Sequence, residues 1–278
     1  MRAAAVQLNS NEDRGRNLER AERLVRIARE RGADLVVLPE RFDLRGSDAT
    51  YARGASPLDG EVAAWAAGLA RELSIDLVAG STTERRDGRE KASNTSLHFG
   101  PSGDLQAVYR KIHLFDVTVG DVSFRESDSG EAGEEIVVSH AADGTPLGLS
   151  ICFDLRFPEL YRILALEGAL VLLVPSNFTR VTGQAHWEVL LRARAIENQA
   201  FVVAPDQVGA CPPEQGAAYG NSMIVDPWGE VLARASADDE EVVVADLDLD
   251  RLREVRERLP SLANRAADAY RWPVEAHA

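Results

Sequence analysis

A cysteine, a glutamate and a lysine in this chain each stand where an apolar strand ends, and between them they could cleave an amide. Cys152 lies in GLSICFDLRFPELYR (148–162), after the alternating Leu147, Leu149 and Ile151 and before Pro158, a residue suited to a first helical turn. A nucleophile on such a turn points its sulfur outward while nearby backbone N–H groups face whatever it attacks. The same setting also suits an inert cysteine that only fills space. Glu40 closes ADLVVLPE (33–40), a valine-rich run that reads as a buried strand with a carboxylate at its C-terminal tip. In open α/β sheets that edge is where ligands bind. Lys111 follows the strand 105–109 within AVYRKIHLFD (107–116). Taken singly, either charge reads more simply as a solvated loop residue.

Together the three make a chemical set. A free thiol titrates near ~8.5 and needs a base or a positive neighbour to react at neutral pH. A glutamate can take the thiol proton and later hand it to a leaving amine. A lysine ammonium, with a backbone N–H such as that of Phe153, can hold the oxyanion of a tetrahedral intermediate. These groups complete acyl transfer without help, so no metal or organic cofactor is expected. Other chemistries lack their marks. There is no G-x-G and no G-K-[ST] for a nucleotide, and no H-E-x-x-H for zinc. His113 beside Lys111 and His186 beside Trp187 read as structural residues, although either could partner Cys152 in a Cys–His hydrolase.

Composition narrows the class further. A chain of 278 residues can bury ~75% of its unfolded surface. No Pro/Gly/Ser-rich linker divides it, so residues 1–278 read as a single domain. With 31 Lys and Arg against 45 Asp and Glu the net charge is −14, which argues against nucleic acid and anionic membranes as partners. No apolar run approaches the ~20 residues a membrane helix needs, and MRAAAVQLN leads straight into a strand without a signal peptide. The two cysteines, Cys152 and Cys211, form no CxxC and read as reduced thiols of a cytoplasmic protein, with Cys211 a residue of the CPPEQG loop.

The elements that must hold these residues alternate along the chain. Strands are expected near 3–8, 34–38, 75–80, 92–99, 104–110, 135–139, 146–151, 169–175, 200–204, 218–226, 230–234 and 241–246. Helical periodicity marks 16–30, 61–73, a stretch from 158, and 182–198. Strand–helix alternation indicates α/β layers.

On these residues the chain resembles the nitrilase (carbon–nitrogen hydrolase) superfamily. Its Glu–Lys–Cys triad matches Glu40 in LPE, Lys111 in YRKIHLFD and Cys152 in SICFDLRFPE. The likeness extends from AAAVQLN through VPSNFTRVTGQAHWEVLLRARAIENQ (174–199) and YGNSMIVDPWGE (219–230) to LPSLANRAADAY (259–270). A second family glutamate matches Glu126 in FRESDS, and its implied role is to position Lys111 and tune the triad's protonation. The resemblance implies a four-layer α-β-β-α sandwich that pairs as a homodimer, with residues 251–278 as a C-terminal helix and tail in the oligomer contacts.

Cys-Phe-Asp after the strand is similar to the amidase branch called Nit, and nearest to its deaminated-glutathione-cleaving enzymes. That implies a small linear, carboxyl-bearing amide as substrate. The alternatives are an ω-amidase acting on α-ketoglutaramate-type monoamides and a non-catalytic protein on the same fold. Arg41 stands where the family often has a small residue, and VGACPPEQG (208–216) lacks the basic character of the nearest branch. An acidic protein needs local positive charge to hold an anion. Arg156, just after the nucleophile, and Arg180, just past Ser176-Asn177-Phe178, are the candidates for a substrate carboxylate. Phe153 and Asn177 complete the expected substrate-binding set.

Overall fold

In a computed structural model describing residues 1–120, 122–211 and 216–271, the strands gather into two main sheets packed face to face. The first sheet runs Glu241–Asp246, Arg2–Gln7, Leu35–Val37, Asp76–Val78, Ser93–Phe99 and Thr82–Glu84, with Leu105–Arg110 on the other edge of Ser93–Phe99. The second runs Val231–Arg234, Met223–Val225, Phe201–Ala204, Val171–Leu173, Pro146–Leu149 and Val138–His140. Each sheet holds three parallel strands at its centre.

The period-two alternation of Arg2–Gln7 explains the layering. Ala3 and Ala5 join the core shared with the second sheet's Leu147, Leu149, Val171 and Leu173. Ala4 and Val6 face the other way, against Leu24 and Val25 of helix Arg14–Glu30 and Val62 and Leu69 of helix Glu61–Leu73. On the far side, Pro158–Leu166 and Arg180–Asn198 cover the second sheet with Leu160, Leu164, Trp187 and Leu191. The result is the four-layer α-β-β-α sandwich. Leu8, just past the first sheet's edge, bridges in parallel to Gln207, just past the second's. The C-terminal ends of both parallel sets therefore meet, and there Glu40 and Cys152 emerge.

Departures from the sequence reading have local causes. Helices expected at 16 and 182 begin at Arg14 and Arg180, because the Asp13 and Thr179 side chains accept the N–H of Arg16 and Thr182 and extend each first turn. Three short strands went unread. Thr82–Glu84 is buried but polar, while Asp116–Val119 and Val122–Arg125 form a hairpin with no buried face to impose an alternating pattern. The helix near the C-terminus spans Leu249–Arg258, slightly ahead of the expected 251. Of the expected tail 251–278, residues 272–278 lie outside the described residues, as do 212–215 of the 208–216 loop. Among the described residues no helix is long and apolar enough to cross a membrane.

Candidate active site

Cys152 begins the 3-10 turn Cys152–Arg156 with a left-handed backbone, φ 47°. Residues bearing a Cβ rarely adopt this conformation, so something must hold it. Its own N–H donates to the Pro175 carbonyl at 2.9 Å. The buried Asp154 does the rest. One carboxylate oxygen accepts the Ile151 N–H at 2.8 Å and the Tyr109 hydroxyl at 2.6 Å. The other accepts the His113 N–H at 3.1 Å and is bonded to its ring Nδ1 at 2.7 Å. The turn that aims Cys152 is thereby tied to the segment that carries Lys111.

Glu40 is delivered by a strand that passes Gly80 very closely. A Cβ there would collide with the Pro39 and Leu38 carbonyls, and the backbone of Gly80 is itself left-handed, φ 32°. The Glu40 carboxylate is buried, and Oε2 accepts the Asn177 N–H at 3.0 Å. Oε1 accepts Lys111 Nζ at 3.0 Å and Asn94 Nδ2 at 2.8 Å. Lys111, 2% exposed, also donates to Glu126 Oε2 at 2.8 Å. That same oxygen accepts the Phe115 N–H at 2.8 Å. Glu126 Oε1 takes Asn94 Nδ2 at 3.2 Å and Arg41 Nη2 at 3.4 Å. Lys111 thus bridges two carboxylates, and Asn94 repeats the bridge as a neutral donor.

The protonation states follow from this arrangement. Burial alone would strip the proton from Lys111, but the charges of Glu126 and Glu40 outweigh it and push the ammonium's pKa up. Burial alone would also raise Glu126, yet Lys111 and then Arg41 hold its carboxyl well below the usual carboxylate range. Burial, reinforced by Glu40 and opposed by Lys111, pushes the Cys152 thiol up. At rest the thiol keeps its proton and needs a base to lose it.

Glu40, Lys111, Glu126, Cys152, Phe153, Arg156 and Asn177 all line one cavity of about 360 Å³. Phe153 packs edge-on to Phe115, with ring centroids 5.1 Å apart. The half-buried Arg156 lies 5.2 Å over the Phe178 ring and 3.2 Å from His186 Nδ1, and burial lowers its pKa. Among the described residues no carboxylate lies within 4.0 Å of it. Arg180 is the exception to the expected set. It does not line the cavity, because the helix start turns it outward to pair with Asp238 at 2.7 Å. The half-buried Cys211 reaches the same cavity and donates its thiol to the Arg45 carbonyl at 3.1 Å.

Among the described residues no histidine lines the cavity; His113 is bonded to Asp154 and stacked on Phe157 at 3.6 Å. Among the described residues no three His, Cys, Asp or Glu side chains are grouped as metal ligands would be. The lining is nonetheless strongly cationic for an acidic protein. Arg45, Arg85, Arg89, Lys91 and Arg125 add to Arg41, Lys111 and Arg156, against Glu40, Asp48, Glu90 and Glu126. Sequence reasoning passed over Asn94, Asp154 and Tyr109. Asn94 lies in SNTSLHF, a buried strand in which most residues are polar, so no contrast with its neighbours marked it, and nothing local marks the other two.

Known proteins resemble this chain throughout. The Carbon-nitrogen hydrolase family profile matches residues 2–257. A deaminated glutathione amidase of Synechocystis sp. is 41% identical over 266 residues, spanning 95% of this chain and 97% of its own. Omega-amidase NIT2 of Mus musculus is 39% identical over 277 residues, spanning 97% and 96%. The crystal structure of Saccharomyces cerevisiae Nit3, described as a member of branch 10 of the nitrilase superfamily, superposes with a TM-score of 0.84 at 33% identity over 94% of each chain.

Proposed function

Since the chain belongs to the carbon–nitrogen hydrolase family and is an amidase acting on linear amides, we propose that Cys152 is its nucleophile, Glu40 its general base, Lys111 its electrophile and Glu126 the support of Lys111. The observation that carries this reading is the Lys111 bridge between Glu40 and Glu126, opening on the same cavity as the strained Cys152 turn.

Glu40 takes the Cys152 proton as the sulfur attacks the amide carbonyl carbon. The carbonyl π electrons pass to oxygen, where the Lys111 ammonium and the Phe153 N–H hold the oxyanion. Two of the three Lys111 N–H donors serve carboxylates, which leaves one for substrate. Collapse of the intermediate breaks the C–N bond, and the amine leaves with the proton from Glu40. Water then gives a proton to Glu40 and attacks the thioester. The carboxylic acid departs, and the proton returns to the Cys152 sulfur. No step calls for a metal or an organic cofactor.

The substrate we propose is a small linear amide bearing carboxylates, of the deaminated-glutathione kind that the Synechocystis relative's name states. Among the described residues Arg156 faces no carboxylate, and with the cationic lining it supports an anionic ligand, with Asn177 also lining the cavity. The ω-amidase reading rests on the likeness to NIT2 and differs in releasing ammonia rather than a larger amine. Measuring ammonia and amine release across a panel of carboxyl-bearing amides separates the two. If Arg156 grips a carboxylate, Arg156→Met will raise KM for an acidic amide by about 10–100-fold, the worth of one charged hydrogen bond, and barely move it for the neutral analogue. Equal kcat/KM for the two amides in the wild-type enzyme would refute this.

We further propose a single catalytic domain that acts as a homodimer in the cytoplasm, where two free thiols stay reduced. Val181, Val189 and Ile196 on one helix, with Ile163 and Leu166 on another and Trp228 nearby in the fold, are exposed and apolar. That face, with the tail beyond residue 251, is where a second copy would dock. Val189→Glu combined with Ile196→Glu is expected to give monomers in sedimentation velocity; an unchanged dimer would move the interface elsewhere.

A further inference from the structure

Arg41 directly follows Glu40 and, like Cys152, has a left-handed backbone, φ 59°. Glycine or asparagine would sit there with less strain, and strain of this kind concentrates where a side chain has a task. The guanidinium is held on three sides. Nη1 donates to Thr83 Oγ1 at 2.5 Å, the plane lies 4.1 Å over the Tyr51 ring, and Nη2 reaches Glu126 Oε1 at 3.4 Å. The backbone N–H is fixed to Ser81 Oγ at 3.1 Å. The side chain is 9% exposed and lines the cavity.

Without Arg41 the cluster would hold two carboxylates and a single lysine. Lys111 would then be the one cation shared by both, and Glu126 would be easier to protonate. A protonated Glu126 would leave the ammonium to Glu40 alone and blunt it as a base. We propose that Arg41 is a positioning residue of the amide hydrolysis: its guanidinium keeps Glu126 ionised and in place, so that Lys111 is shared between Glu126 and Glu40. The proposal rests on the reading of Cys152, Glu40 and Lys111 as reacting groups. The other charged groups facing Arg41 are committed elsewhere. Asp43 is paired with Arg14 at 3.1 Å, and the Tyr51 phenol is pushed up by burial. Asp48 and Arg45 also line this wall.

The test compares Arg41→Met, Arg41→Lys, Glu126→Gln, the Arg41→Met/Glu126→Gln double variant and Cys152→Ala, each checked for folding by circular dichroism. Arg41→Met is expected to lower kcat about 10-fold and leave KM within about twofold. The acidic limb of its kcat/KM profile should move up by about one pH unit, because losing a cation makes the carboxylates easier to protonate. Arg41→Lys should recover most of kcat and restore the limb. In the Glu126→Gln background, Arg41→Met should cost little more, since its action runs through Glu126. Should Arg41→Met not fold, Arg41→Gln carries the same comparisons. A wild-type limb and kcat in Arg41→Met, or full additivity with Glu126→Gln, would overturn the proposal while an inactive Cys152→Ala leaves the triad standing. Turnover surviving in Cys152→Ala would overturn both.

Discussion

Cys152→Ala will lose turnover by on the order of 10⁴–10⁶-fold, the scale on which removing a nucleophile acts. The fold will persist. One sulfur leaves a small cavity in a side chain that is 6% exposed, and alanine carries the same Cβ into the same left-handed backbone, so no new strain appears. The bonds that shape the turn come from Asp154 and from the Cys152 backbone, and the substitution touches neither. Mass spectrometry of wild-type enzyme quenched during turnover should find the acyl group on the peptide holding Cys152. Cys211 is the internal control, because it is a free thiol on the same cavity. An adduct there instead would end the assignment.

Lys111→Ala comes next in size, with kcat expected to fall ~10²–10³-fold or more, as for loss of an oxyanion donor. Two effects add. The oxyanion loses its cation, and Glu40 and Glu126 are left facing each other through Asn94 alone, 2.8 and 3.2 Å from its amide. Like charges sharing one site oppose each other, so the base is impaired along with the electrophile. Lys111→Arg should not rescue activity, because a planar fork cannot occupy the site of a compact ammonium with three divergent donors. Glu126→Gln should also be damaging, through misplacement of Lys111. Removing a buried cation from between two acids also destabilises, by about 3–5 kcal/mol, and Arg41 offsets part of this. Thermal melting therefore has to accompany the kinetics. Near-wild-type kcat in a folded Lys111→Ala would refute the role.

Much of the frame was legible in the residues themselves. Helix Glu61–Leu73 and strand Glu241–Asp246 fall at the bounds their periodicity implies, and the helix from Pro158 begins at its proline. These are local signals: alternation, capping side chains and backbone restrictions act within a few residues. The same locality placed Glu40, Lys111 and Cys152 at strand ends, and parallel α/β topology then brings strand ends to one edge. The family likeness rests on the same segments.

What the tertiary structure alone decided was which groups face one another. Arg156 and Arg180 looked alike along the chain, each just beyond a strand end. One lines the cavity beside His186; the other is turned outward to Asp238, 58 residues away in sequence. Asp154 holds the Cys152 turn through Tyr109 and His113 across the sheets, and Glu126 meets Arg41 from 85 residues away. The paired strands Asp116–Val119 and Val122–Arg125, which lead into Glu126, have no buried face and so left no pattern to read. Polar partnerships of this kind depend on distance in space and on burial, which strengthens each bond by excluding water. Neither quantity is written in the spacing of residues along a chain.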